Sequence, residues 1–276
     1  MGKVITLLTD FGLKDSYVSE MKGVIYSLLP DVAIVDISHE VRQGDISSAS
    51  FLLLRAYRYF PRGTVHLVVV DPGVGTSRGV LCCRTENCYF IGPDNGVLAP
   101  AAENDNLKYI FSLNLEELPV ALKEVFSGSF ILEKIKTPSS TFHGRDIFAP
   151  FACYVSTGSP IIRLAVKKER MVATSLPKPV LTEGGVKGHI IYVDRFGNLV
   201  TNINVSLIEK DSEVFLKSGY QVISFGKLKR AYAEVKQGEP LALIGSFGTL
   251  EIAVNGGNAS EKLNATVGDE VLVMKK

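Results

Sequence analysis

Apolar residues in the first half of the chain fall into short β-branched runs that alternate with stretches of helical spacing. Val4–Leu8 is a brief apolar run that stops at Thr9-Asp10-Phe11-Gly12. The next segment opens on the capping residues Asp15 and Ser16 and carries Tyr17, Met21, Val24, Ile25 and Leu28 on one helical face before Pro30. Ala33–Ile37 reads as a second strand. Ile46, Ala49, Leu52, Leu53, Ala56, Tyr57 and Phe60 share the face of a second helix that ends before Pro61. The stretch from Val65 to Gly79 then reads V-H-L-V-V-V-D-P-G-V-G-T-S-R-G. Its nearly unbroken apolar start fits a strand buried on both faces, and it breaks at Asp71 into a tight loop of glycine and proline. Strand, helix, strand, helix, strand predicts a parallel sheet with right-handed crossovers.

Further along, Val80–Arg84 and Cys88–Ile91 read as a hairpin turning at Glu86-Asn87, followed by the turn cluster Gly92-Pro93-Asp94-Asn95-Gly96. A helix-like stretch and a weaker strand, Leu107–Phe111, come next. Thr141-Phe142-His143-Gly144-Arg145-Asp146 opens a segment whose Ile147, Phe148, Phe151, Ala152 and Val155 fit a helix starting near Gly144. Between about Val166 and Gly185, charge, two prolines and two glycines suggest an extended linker. Beyond it, short alternating runs are separated by turn signals such as Phe196-Gly197-Asn198 and Gly245-Ser246-Phe247-Gly248, which predicts a small antiparallel barrel or sandwich. The expected architecture is an α/β N-terminal domain with a mostly parallel central sheet (1–167), a linker (168–186) and an all-β barrel-like C-terminal domain (187–276).

Composition changes this picture mainly by exclusion. The 276 residues, 46% hydrophobic and 21% charged, are enough for a full core. A net charge of +1 argues against nucleic acid as the main partner, since that binding rests on many phosphate contacts. The N-terminal apolar run is too short for a signal peptide and no stretch is long enough to span a membrane, so a cytoplasmic location is expected. Cys82, Cys83, Cys88 and Cys153 lack zinc-type spacing and read as reduced, half-buried filler.

The fold argument brings four chemical groups together: Asp10 and Asp71 at strand ends, Arg78 in the loop after Asp71, and His143 at a helix start. Open α/β sheets place ligands at the carboxyl ends of their strands. Asp71 can equally cap its own turn, and His143 can be a capping or packing residue whose helix disfavours its protonation. Gly73-x-Gly75-x-x-x-Gly79 departs from the dinucleotide fingerprint, and no Walker sequence is present. A metal site from Asp10, His39, Asp71 and His143 is chemically possible but lacks recognisable ligand spacing.

Six ordered motifs carry a resemblance across nearly the whole chain: T-D-F-G, V-V-D-P-G-V-G-T-x-R, G-P-D-N-G, T-F-H-G-R-D, D-x-F-G-N and G-S-F-G-x-L-E-I-A. The chain resembles the S-adenosyl-L-methionine hydroxide adenosyltransferase family, which is related to the fluorinase and chlorinase. The resemblance implies hydrolysis of S-adenosyl-L-methionine to adenosine and L-methionine, with Asp71, Arg78 and His143 as a catalytic triad and no metal or redox cofactor. It also implies a homotrimer whose sites lie between one subunit's N-terminal domain and a neighbour's C-terminal domain. By the same resemblance Asp10 binds the ribose hydroxyls, Asp194 the methionine ammonium and Asn198 the adenine edge. Ser246 meets the methionine carboxylate, and the backbone from Val254 to Gly256 completes adenine recognition. Phe11, Phe142 and Phe196 are expected as apolar walls of the substrate pocket, with Thr141 beside them, although each phenylalanine taken alone reads as ordinary packing. The residues alone leave Asn198 open as a turn residue after Gly197.

The chain also departs from the halogenating relatives, which carry tyrosines at the positions of Asp71 and His143. An aspartate at the first position would repel a halide. Fluorinase has a serine where this chain has Gly144, and an arginine for the substrate carboxylate where it has Phe247. Two alternatives remain: a metal-dependent nucleoside or phosphate-ester hydrolase using His39 with the same carboxylates, and a protein that binds S-adenosyl-L-methionine or adenosine without turnover.

Overall fold

The apolar run at Val65–Val69 forms a strand with every residue buried, and its side chains feed two cores. Val65, Leu67 and Val69 join one cluster, while Val68 and the following Val70 join another. The structure is a computed structural model that describes residues 2–173 and 176–275. The chain divides into two compact units, Met1–Ser175 and Leu176–Lys276.

The first unit holds β1 (Val4–Thr9), β2 (Ala33–Ser38), β3 (Val65–Val69), β4 (Val80–Arg84), β5 (Tyr89–Pro93), β6 (Tyr109–Leu113) and β7 (Ala165–Lys168). They form one sheet in the order β2-β1-β3-β5-β4-β6-β7. The expectation of a mostly parallel sheet needs correction. β1–β2, β1–β3 and β3–β5 are parallel, but β4–β5, β4–β6 and β6–β7 are antiparallel. The reason is local: the short Glu86-Asn87 turn allows only an antiparallel pair, so β4 runs against both β5 and β6, which share a direction on either side of the helix at Ala99–Asn104, and β7 returns antiparallel beside β6.

Two helices cover this sheet where the periodicity places them. α1 (Tyr17–Leu28) buries Met21, Val24, Ile25 and Leu28. In α2 (Ile46–Ala56), the Asp45 carboxylate caps the first turn by accepting from the Ser48 amide at 2.9 Å. The shorter α3 (Ala99–Asn104), α4 (Leu118–Val125) and α5 (Ile131–Lys134) follow. A π-helical turn at Gly144–Phe148 then runs directly into α6 (Ala149–Ser156), so the helix expected near Gly144 begins with a widened turn. All four cysteines are free and fully buried rather than half-buried. Burial pushes the Cys83 and Cys88 thiols up to about 12, which makes them inert packing groups.

The second unit contains β8 (Val180–Thr182), β9 (Gly185–Val193), β10 (Leu199–Asn204), β11 (Glu213–Ser218), β12 (Gln221–Lys227), β13 (Pro240–Ile244), β14 (Thr249–Val254) and β15 (Glu270–Met274), plus the short α7 (Ala259–Leu263). Seven strands run in the order β12-β11-β15-β9-β10-β14-β13, all neighbours antiparallel, with β8 paired to β9. Lys229, just past β12, bridges to Leu243 of β13 and nearly closes the sheet into a barrel. The stretch read as a linker contributes β7 at its start and β8 near its end; each is an edge strand paired on one side.

Candidate active site

Asp71 follows β3 directly, and the loop after it folds Arg78 back onto its carboxylate. Arg78 Nε lies 3.0 and 2.9 Å from the two Asp71 oxygens, and Nη2 donates to Oδ2 at 2.5 Å. The same Nη2 lies 2.7 Å from His143 Nδ1, and the guanidinium sits over the Phe148 ring at 5.1 Å. The side chains of Asp71 and Arg78 are only 5% and 10% exposed, so removing either would leave a buried charge unpaired, at a cost of about 3–5 kcal/mol.

A guanidinium only donates, so His143 Nδ1 must be the acceptor, and the neutral ring carries its proton on Nε2. Burial, and next the Arg78 cation, hold the His143 imidazole below its ordinary 6.5, while Asp71 and Asp146 pull weakly the other way. The helix start was the expected cause of neutrality; desolvation and the neighbouring cation are the larger ones.

Two contacts fix how the loop meets the His143 segment. Gly75 has φ +78°, and a Cβ there would stand 2.7 Å from the Ser140 carbonyl oxygen, so the loop tip packs on backbone and only glycine fits. On the other side, the buried Asp146 carboxylate accepts from the Ser139 amide at 2.9 Å and from Arg145 Nε at 2.6 Å. Arg145 Nη1 in turn reaches Glu20 of α1 at 2.8 Å. One carboxylate thus staples both ends of the segment holding Thr141, Phe142 and His143.

Beside this chain lies a cleft of about 620 Å³ lined by Asp10, Phe11, Tyr17, Gln43, Asp71 and Val74, among others. Asp10 Oδ2 accepts from the Gly44 amide at 2.8 Å, which orients the carboxylate. Phe142 packs edge-on against Phe11 at 5.8 Å and Tyr17 at 5.0 Å. Tyr17 is 46% exposed. Its helical spacing assigns it to the core, but it forms a wall of the cleft. Gln43 and Gly44 carried no sequence signal beyond a turn. Thr141 is exposed and bonded to Ser139. A Cβ on Gly144 would meet Phe142 at 3.1 Å, Met21 Sδ at 3.2 Å and Phe11 at 3.3 Å.

The remaining predicted residues lie in the second unit. Phe196, Asn198 and Val254 line a hollow of about 490 Å³, together with Tyr232, Gly257 and Asn258, which the sequence reading missed. Phe196 is 75% exposed, whereas Asn198 is buried. Asp194 Oδ1 accepts from the Phe196 and Asn198 amides, each at 2.9 Å, and Oδ2 from Asn198 Nδ2 at 3.0 Å. The turn reading of Asn198 is the one these hydrogen bonds show: its own turn fixes its side-chain amide. A Cβ on Gly197, at φ +83°, would overlap the Asn258 side-chain amide. Ser246 is exposed in the turn between β13 and β14, outside the lining of this hollow.

His39, which a metal-dependent hydrolase would enlist, is buried with Nδ1 2.9 Å from Thr9 Oγ1 and Nε2 3.1 Å from Asp36. Among the described residues, no three His, Cys, Asp or Glu side chains are grouped to hold a metal ion, and no helix is long and apolar enough to cross a membrane.

The profile of the SAM hydroxide adenosyltransferase N-terminal domain matches residues 5–165, and that of the C-terminal domain matches residues 188–272. The chain is 35% identical over 270 residues to an (R)-S-adenosyl-L-methionine hydrolase of Thermus thermophilus, covering 98% of this chain and 99% of the relative. It is 27% identical over 310 residues to a fluorinase of an Actinoplanes species, covering 99% and 97%. Among solved structures, an uncharacterized conserved protein from Thermotoga maritima superposes with a TM-score of 0.85 at 39% identity, covering 98% of this chain and 99% of that one.

Proposed function

Because the chain belongs to the SAM hydroxide adenosyltransferase family, we propose that it is an enzyme that hydrolyses S-adenosyl-L-methionine to adenosine and L-methionine. The observation that carries this reading is the continuous Asp71–Arg78–His143 chain at the edge of a cleft that also holds Asp10. In this substrate the ribose 5′ carbon is bonded to a sulfonium. The water oxygen bonds to that carbon, the carbon–sulfur pair leaves with sulfur, and methionine departs as a neutral thioether. Only the proton of the water has to move, so the reaction as written uses no general acid, metal or redox cofactor.

Arg78 is a permanent cation that favours hydroxide character on a water held beside it, and Asp71 fixes the guanidinium. With Nδ1 committed to Arg78, His143 presents Nε2–H, which orients the water. Taking the proton requires Nδ1 to release Arg78, which couples base catalysis to loosening of that bond. Hydroxide and sulfonium cancel their charges in the transition state, so walls of Phe11, Tyr17 and Phe142 that solvate neither ion favour reaction. Asp10, held through Oδ2 by Gly44, offers its other oxygen to the ribose hydroxyls.

Asn198 reads the adenine edge, with the backbone from Val254 to Gly256 beside it. Asp194 meets the methionine ammonium and Ser246 its carboxylate. These groups and the triad lie on separate compact units, with Asp71 lining one hollow and Asn198 and Val254 another, which supports a homotrimer with sites at subunit interfaces; a cytoplasmic location is part of the same proposal. The deciding experiment is chromatographic detection of adenosine and methionine. Absence of adenosine after many hours with stoichiometric protein would refute hydrolysis in favour of a binding protein, and loss of activity in chelator would revive the metal-dependent alternative.

A further inference from the structure

The catalytic loop needs its two ends held, and the strand next to it cannot do this by extending the ladder. β5 ends at Pro93, which has no N–H to offer β3. The residues after Pro93 take over. Asn95 Nδ2 donates to the carbonyl of Val70 at 2.9 Å, immediately before Asp71. The Asp94 amide donates to the Gly79 carbonyl at 3.0 Å, immediately after Arg78. Asn95 Oδ1 accepts from the Val97 amide at 3.2 Å, which fixes the orientation of its own side chain. Between these two anchors the loop is tied to itself by Val74 N to Asp71 O and Thr76 N to Gly73 O, packs its Gly75 tip against Ser140, and reaches His143 and Phe148 through Arg78.

We propose that Asn95 is a positioning residue for the Asp71–Arg78–His143 chain, setting through the Val70 carbonyl where β3 ends and where the Asp71 carboxylate stands. The G-P-D-N-G turn thus acts on a reaction it never touches. This inference rests on the proposed hydrolysis only for its kinetic readout. Displacing reacting groups by about 1 Å can cost on the order of a hundredfold in rate.

The test uses Asn95→Asp, isosteric but without the donor, and Asn95→Ala, which removes the donor without adding charge. Asp105→Ala serves as control: Asp105 staples the far end of the same hairpin through Thr85 and Asn87, away from the loop. Both Asn95 variants should lose about tenfold or more in kcat with KM within about twofold. The His143 imidazole is followed by NMR and assigned by its loss in His143→Gln. Its charged neighbours are Arg78, Asp71 and Asp146; the loop carries both Arg78 and Asp71, and of these Arg78 acts more strongly on the ring. In both Asn95 variants its titration midpoint should rise toward 6.5 as Arg78 loosens, whereas Asp105→Ala should lower Tm and leave that midpoint in place. An unchanged midpoint and kcat in Asn95→Ala, or an equal shift in Asp105→Ala, overturns the proposal. If only one Asn95 variant folds, that variant decides. A wild type that releases no adenosine refutes the hydrolysis instead, and the NMR midpoint still judges Asn95.

Discussion

His66 gives the protein a defined acid weakness. The imidazole is fully buried on β3, stacked on Phe90 at 5.1 Å with Phe60 edge-on at 5.5 Å. Its Nδ1 lies 2.8 Å from Thr6 Oγ1, and Nε2 is buried without a partner. Burial pushes its ionisation from 6.5 down to about 3. Above pH 6.5 the ring is neutral in both folded and unfolded chains and contributes nothing to pH dependence. Below 6.5 the unfolded chain binds a proton that the native ring refuses, so stability falls with pH until about 3. At about 1.4 kcal/mol per pH unit, acidification from pH 7 to pH 4 should cost about 3 kcal/mol through this one residue. That is a large share of a typical total of about 5–15 kcal/mol. His66→Phe fits the same aromatic box and abolishes the titration. Urea unfolding of both proteins at pH 7 and pH 4 should show the variant losing about 3 kcal/mol less on acidification. Equal losses, with all other groups cancelling, would refute the reasoning.

Activity should rise with pH and level off below 6.5, because His143 must be neutral and its ionisation is lowered. His143→Ala should cut kcat by about a hundredfold or more with little change in KM; lost affinity at unchanged kcat would contradict its role. Asp10→Asn should weaken binding of adenosine and discriminate less against an analogue lacking a ribose hydroxyl, as isothermal titration would show; equal loss for both ligands would remove Asp10 from the ribose. Gly75→Ala forces a side chain onto positive φ and the Ser140 carbonyl, so calorimetry should show a loss of about 1–3 kcal/mol together with slower turnover. Mixed oligomers of His143→Ala and Asn198→Ala subunits should regain activity that neither parent has, if sites are shared between copies; no recovery after proven exchange would place each site within one chain.

Much of the first unit was legible because local signals agreed. The β3 run, the Asp71 break and the return of Arg78 need only the two-residue period of a buried strand and the turn chemistry that follows it. The β4–β5 hairpin was legible, but the antiparallel pairings β4–β6 and β6–β7 were hidden because each joins strands far apart along the chain. Tyr17 fits the core period of α1 yet lines the cleft, since as the first residue of the helix it lies at the rim of the core face. Asn95 reads as an ordinary turn polar and Asp146 as a residue in the first turn of a helix. What they hold lies at Ser139, Arg145 and Val70, and only the folded backbone shows it.

The crowding at Gly144 also constrains which neighbouring sequences this site can reach. A hydroxymethyl group at that position must find room already taken by Phe142, Met21 and Phe11. A glycine-to-serine change made first therefore asks these three side chains to give by a few tenths of an ångström, whereas the same change after a smaller side chain at Met21 or Phe11 asks less of them. The order of substitutions, more than their number, separates a water-using pocket of this shape from one furnished with a serine hydroxyl. The room for any side chain at this glycine is thus set by how far the aromatic and methionine side chains around it can shift.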